Sequence, residues 1–230
     1  MLRSVTIETG SEGWTAVPKI SEAQRQSRRE QIARAAVAEF SVRGIHPTSM
    51  ANIVAASGLS AGALYTHFSG KDEIIAYVAR QTVGGVFQGL EGLLGAEVLP
   101  TPSELIAQIT DRIASAEVST GFIVQVWAEA ITNPSVHDAA NEVYGGAFEF
   151  LRSYSARWLA ERSARGGAPE AGHAERQARV LLSLIYAHIL QLSLLDTYRT
   201  EEFLQDIAGW PSGVAGVVSA SLAPPAGPST

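Results

Sequence analysis

The residues best suited to contact another molecule lie between Thr48 and Lys71. Two short helical stretches joined through Gly58, the second opening at Ser60, have the dimensions of a helix-turn-helix. On the second stretch Ser60, Ala61, Gly62, Ala63 and Thr66 are small or polar. Leu64 and Phe68, four residues apart, turn the other way and suit anchoring on Ile32, Phe40 and Ile53. Tyr65, His67 and Lys71 gather at its end, where a hydroxyl, an imidazole and an ammonium can donate hydrogen bonds to phosphates. The chemistry of this set is non-covalent. The major groove admits a helix whose outer face is small or polar.

No competing set points to catalysis. The chain has no cysteine, which excludes disulfides, thiolate nucleophiles and thiolate zinc sites. No pair of histidines has metal-ligand spacing, no loop has phosphate-cradling glycines, and the acidic residues are scattered. The expectation is no catalytic residue, no metal and no cofactor.

The elements that must hold this surface read as helices throughout. From Ser21, Ile32, Ala36 and Phe40 recur at helical spacing and Gly44 closes the helix. Thr48 offers an N-cap for the second helix, with Met50, Ile53 and Val54, which Gly58 ends. Ser60 caps the third, Ala61 to Thr66. Ser69 to Asp72 has the form of a capping box for a fourth. Thr101-Pro102-Ser103-Glu104 starts a helix to about Ala116, and others run from about Ser119 to Thr132 and from Pro134 to about Arg165. Gly166-Gly167 reads as a loop. The most apolar helix covers Ala174 to Asp196, followed by Thr200 to Ala208 and a weaker segment, Val214 to Leu222. No stretch alternates with period two, so the fold class is all-α. The organisation expected is a flexible arm over 1–20, a DNA-binding head over 21–80, a helical body over 81–222 and a disordered tail over 223–230.

Charge divides along the same line. Residues 1–80 hold 9 Lys+Arg against 7 Asp+Glu, and residues 81–230 hold 8 against 16, within a net charge of −6. A basic module on an acidic body suits a phosphate-facing head. Arg25, Arg28 and Arg29 either touch DNA or form a solvated face. With 46% hydrophobic residues the chain is not a disordered one. No unbroken apolar run reaches the about 18 residues of a spanning helix, and residues 1–20 lack a secretory signal pattern, so the expectation is a cytoplasmic protein with no membrane partner.

The run Ser60-Ala61-Gly62-Ala63-Leu64-Tyr65-Thr66-His67-Phe68-Ser69-Gly70-Lys71-Asp72 resembles the signature of the TetR/AcrR family of transcriptional regulators. Ile32, Ala36, Phe40, Gly44, Thr48, Ile53, Gly58 and Leu59 match its upstream pattern, so the resemblance covers about residues 24–80. It implies a three-helix head on a larger helical domain that dimerises and binds an effector. It implies base-facing roles for Ser60, Ala61, Gly62, Ala63 and Thr66, and phosphate contacts for Thr48, Tyr65, His67 and Lys71. A side chain at position 62 would hold the helix away from the groove. The base-facing set lacks Arg, Lys, Gln and Asn, so specificity is expected to lean on thymine methyls, water and DNA shape.

In the body, the apolar helix carrying Leu181, Leu182, Ile185, Ile189, Leu192 and Leu195 is expected to pair with the last helix in a homodimer, placing two heads on a near-palindromic operator. Phe122, Trp127, Tyr144, Phe148, Tyr186, His188 and Gln191 are candidates to line an effector pocket, though aromatics at helical spacing also build plain cores. Gly85, Gly89 and Gly92 fall on one stripe, either a smooth face for a close helix crossing or a soft link from body to head. The reading is a ligand-responsive DNA-binding regulator, a repressor released by a small apolar or amphipathic effector. The alternatives are a helical carrier or enzyme with an incidental helix-turn-helix, and a regulator or activator with no effector.

Overall fold

The computed structural model describes residues 21–116, 118–163 and 171–209. The expectations for the arm 1–20, the Gly166-Gly167 loop, Val214 to Leu222 and the tail from Ala223 lie outside them. Every described element is helical. The order is α1 (Glu22–Arg43), α2 (Met50–Ser57), α3 (Ala61–His67), α4 (Lys71–Ala79), a π-helical turn (Arg80–Gly84), α5 (Gly85–Gln88), a 3-10 turn (Glu91–Gly95), α6 (Pro102–Ala114), α7 (Thr120–Thr132), α8 (Pro134–Ser163), α9 (His173–Leu194) and α10 (Thr200–Gly209).

Local chemistry sets most boundaries. A capping box opens α1: Ser21 Oγ accepts from the Gln24 N–H, and Gln24 Oε1 accepts from the Ser21 N–H. Gly44 ends it at φ +87°. Thr101 and Glu104 form a second box at α6, with Pro102 in the first turn, as the sequence indicates.

Two of the sequence-based caps are corrected. Ser49, not Thr48, caps α2: its Oγ accepts from the Asn52 N–H, and the Asn52 side chain returns the bond. The α4 helix starts after Gly70, which makes no side-chain cap, and the expected Ser69–Asp72 box is absent. Instead Glu73, one residue later, accepts from both the Ser69 N–H and the Ser69 hydroxyl.

The helices bury two apolar clusters. One holds Ile32, Ala36, Phe40, Ile53, Leu64, Phe68 and Ile74 of the first four helices, and it continues into Phe122, Val126 and Ala130 of α7. Phe40 stacks on Phe122 with ring centroids 5.7 Å apart. The second lies among α5, α6, α8 and α9 and includes Leu105, Ile109, Leu151, Tyr154, Leu181 and Ile185. Between the clusters α4 passes through the π-turn into α5 as one continuous rod. The connection to α6 is pinned from α8: the Arg157 guanidinium donates to the Leu94 and Ala96 carbonyls, and the Tyr154 hydroxyl donates to the Pro100 carbonyl at 2.6 Å.

Among the described helices, α9 alone is long and apolar enough to cross a membrane by length and composition. Ser183, His188 and Gln191 interrupt its apolar sequence. Leu181, Leu182, Ile185 and Ile189 of this helix are already buried within the chain.

Candidate DNA interface and effector cavity

The helix-turn-helix is built from short-range bonds. Gly58 turns the chain after α2 in the left-handed region, φ +68°. Ser60 then caps α3, accepting from the Ala63 N–H at 3.2 Å. Leu64 and Phe68 are buried. Their burial fixes the rotation of α3, so Ser60, Ala61, Gly62, Tyr65 and Thr66 face solvent, with Ala63 and His67 half-buried. Tyr65 is 54% exposed, a large aromatic with no core role. A Cβ at Gly62 would meet nothing within 4 Å, so nothing inside the molecule demands glycine there. The Thr66 hydroxyl donates to the Gly62 carbonyl at 2.9 Å, which leaves its methyl and its oxygen lone pairs to face outward.

Two expected phosphate contacts stand differently. Thr48 is only 1% exposed and its hydroxyl donates to the Gly44 carbonyl at 2.7 Å, so it is a buried strut of the α1–α2 loop and not a surface contact. Lys71 Nζ donates to the Ile45 and His46 carbonyls at 3.0 and 3.1 Å. An ammonium has three N–H bonds, so one is left over for a further acceptor.

Sequence reasoning missed the part played by Arg29. It turns inward from α1, with its guanidinium 4.2 Å from the Phe68 ring centroid and 4.8 Å from that of Tyr77. Nη1 donates to the His67 carbonyl at 2.6 Å, and both terminal nitrogens reach Glu73 Oε1 at 3.2 Å. The last turn of α3 is thereby tied to α1 and α4. Burial pushes the Glu73 carboxyl upward, but the Ser69 bonds and Arg29 outweigh it and hold the carboxyl below the usual range. Arg28, by contrast, bonds Gln31 on its own helix.

In the body, Phe122, Trp127 and Tyr186 line a partly enclosed apolar cavity of about 40 Å³. The Trp127 and Tyr186 rings lie 4.8 Å apart, and Tyr144 adds a third ring 5.6 Å from Tyr186 but is itself largely exposed. Burial raises the Tyr186 hydroxyl well above its ordinary pKa, so it stays a neutral donor. The other candidates do not line this cavity. Phe148 packs on the second core cluster. His188 is buried, stacked on Phe203 and bonded through Nδ1 to the Tyr198 hydroxyl at 2.8 Å; desolvation lowers its pKa, so it reads as a satisfied core histidine. Gln191 also lies off the lining.

The outer face of α10 carries Glu201, Glu202, Gln205 and Asp206, while Phe203, Leu204 and Ile207 turn inward. Exposed apolar side chains stand on α9, at its C-cap and on α8: Leu190, Leu192, Leu194, Leu195 and Tyr144. Leu192 and Leu195 are thus outer residues, and Leu181, Leu182, Ile185 and Ile189 are interior ones.

A helix-turn-helix with a small, polar recognition face, carried on a helical body, defines a DNA-binding regulator. Residues 32–78 match the model of bacterial regulatory proteins of the tetR family. The chain is 25% identical over 199 residues to the HTH-type transcriptional regulator UidR of Escherichia coli K12, covering 86% of this chain and 96% of UidR. It is 29% identical over 77 residues to the HTH-type transcriptional repressor KstR2 of Mycolicibacterium smegmatis, covering 34% and 38%. The fold is similar to that of Salmonella enterica GusR, with TM-score 0.61, 22% identity, and 81% and 93% of the two chains covered. It is also similar to that of a transcriptional regulator from Saccharomonospora viridis in complex with choline, with TM-score 0.59, 19% identity, and 79% and 93% covered. Residues 32–78 thus carry the DNA-binding head of tetR-family bacterial regulatory proteins, and over most of its length the chain is similar to HTH-type transcriptional regulators.

Proposed function

We propose that the protein is a homodimeric repressor that occupies a near-palindromic operator and leaves it when a small apolar or amphipathic effector binds the body. The observation that carries the reading is the outward face of α3, where Gly62, Tyr65 and Thr66 stand exposed over a helix locked by buried Leu64 and Phe68. In this reading Ser60, Ala61, Gly62, Ala63 and Thr66 meet base edges, and Tyr65, His67 and the remaining Lys71 N–H meet phosphates. Residues 21–80 act as the head and 81–222 as the effector and dimer domain. The exposed leucines of α9, with Tyr144 of α8, supply the dimer face. A chromosomal operator implies a cytoplasmic location.

The effector half of the reading is supported by the aromatic lining of the cavity, Phe122, Trp127 and Tyr186. The choline complex of the Saccharomonospora viridis regulator is a parallel for a small ligand in such a fold. The test is fluorescence anisotropy of labelled DNA from the region flanking the protein's own gene, at two salt concentrations, against unrelated DNA. Tight binding to one near-palindromic segment, weakening as salt rises, is expected. Absence of binding on any fragment of a genomic library overturns the reading.

A further inference from the structure

A groove of about 1030 Å³ runs along the junction of head and body. One wall is α1, with Arg34 and Val37. The rod formed by α4, the π-turn and α5 makes the floor. The far wall is α6, with Gln108 and Arg112. The aromatic cavity lies behind the floor, and Thr82, Val86 and Ala116 line both spaces. They are a shared wall.

Two of its three residues sit on the least regular of the described helices. Thr82 belongs to the π-turn and Val86 to the adjoining α5 segment. The Arg80 N–H is divided between the Ala76 and Tyr77 carbonyls, and the Gly85 N–H between those of Gln81 and Thr82. A π-turn holds one more residue than an α-turn, so rewinding it rotates α5 relative to α4 by roughly 100°. Gly84 and Gly85 bring no side chain that such a change would have to clear. Rotation there moves Thr82 and Val86 together.

Size and chemistry divide between the two spaces. The cavity holds a few water molecules at most, far below the roughly 300 Å³ at which ordinary ligand sites begin. The groove has the volume but is open, and its rim is polar: Gln81, Gln108, Asp111 and Arg112. No hydrogen bond or ion pair ties the side chains of Gln81, Gln108 or Arg112 to other described residues.

We propose that groove and cavity are two halves of one site for an elongated amphipathic molecule. Its flat apolar end passes between Thr82, Val86 and Ala116 to lie against Phe122, Trp127 and Tyr186. Its polar end stays in the groove against Gln81, Gln108 and Arg112. A molecule seated this way stands between α1 of the head and α6 of the body, so occupancy changes how the head is carried. The inference rests on the effector reading given above and names its site and ligand class.

The cysteine-free full-length chain is titrated with anilinonaphthalene sulfonate, an aromatic body with one charged head, reading energy transfer from tryptophan. The expected result is saturable transfer that Trp127→Phe removes while direct probe emission persists. Thr82→Phe and Ala116→Phe, entering the wall from different elements, each weaken binding by about tenfold or more. Arg112→Ala weakens it, and Leu194→Ser on the outer face of α9 leaves it unchanged. Melting curves identify any wall variant that fails to fold, and the other then decides. Loss of binding in Leu194→Ser, indifference to a folded wall variant, or no saturable transfer from Trp127 overturns the proposal. A probe that seats as described but leaves the affinity for a bound DNA fragment unchanged sinks the effector reading and spares the site.

Discussion

The Gln125 side chain in α7 accepts a hydrogen bond from the backbone N–H of Ile45 at 2.8 Å, joining the body to the α1–α2 loop of the head. The loop around it is tightly held. Lys71 takes the Ile45 and His46 carbonyls, Thr48 takes that of Gly44, and a Cβ at Gly44 would come 3.3 Å from Gln125 Oε1. Residues 122, 123, 126 and 127, on either side of Gln125, line the aromatic cavity. One helix therefore touches both the cavity and the loop that precedes α2.

Ile45 is buried, so its N–H has no water to turn to if Gln125 is lost. Gln125→Met keeps the length and removes the acceptor, and should cost about 1–3 kcal/mol of stability. Gln125→Glu keeps an acceptor at the same reach and should recover most of it. Urea denaturation gives the cost. Amide exchange at Ile45 reads the bond itself, and equal protection in wild type and Gln125→Met would refute the link.

Arg29 combines a planar fork with a stacking surface, and both are used: His67 and Glu73 receive hydrogen bonds while Phe68 and Tyr77 lie under the guanidinium. Arg29→Lys supplies charge without the fork or the plane. It should be nearly as damaging as Arg29→Met, each costing on the order of 2 kcal/mol, and both should weaken DNA binding through a loosened α3. Full rescue by lysine, in denaturation and in DNA affinity, would show that charge alone matters.

The depressed Glu73 carboxyl has a pH signature. Its folded value lies below its unfolded one, so its contribution is fully present above the unfolded value of about 4.3 and is lost as pH falls through the folded value. The stability gap between wild type and Glu73→Gln should therefore shrink on acidification from neutral pH to about pH 3. A gap independent of pH over that range would contradict the assignment.

Gly85 and Gly89 should respond differently to alanine. Gly85 is helical, at φ −61°, and faces open space, so Gly85→Ala should raise stability by up to about 1 kcal/mol. At Gly89, the C-cap of α5, a Cβ runs into the Arg112 guanidinium, which must swing aside, so the gain should be smaller than at Gly85. Thermal melts of the two single variants decide the matter.

Much of this architecture is legible in the sequence because it rests on local signals. Buried Ile32, Ala36 and Phe40 keep helical spacing, Gly44 and Gly58 occupy left-handed turns, and Ser60 caps α3. What escapes is set at long range. Thr48 and Ser49 are both good caps, and only the pull of the Gly44 carbonyl and the surrounding core turns Thr48 inward. Arg29 meets partners 38 and 44 residues away. The glycine stripe does not persist, since α5 ends at Gln88 and Gly92 lies in a 3-10 turn. The π-turn has no composition of its own. Which apolar face of α9 is outer depends on α7 and α8, so the interior Leu181 and the exterior Leu194 look alike in sequence.

The central claim, that α3 reads DNA, is tested most directly at Gly62. In the free protein a side chain at this position meets nothing, and leucine is a far better helix former, so Gly62→Leu should melt at or above the wild-type temperature. Anisotropy on the DNA fragment that the wild type binds should then show an affinity at least about tenfold weaker, because the added side chain stands between the helix and the groove. Unchanged DNA affinity in a folded Gly62→Leu protein would contradict the account and remove α3 from the interface.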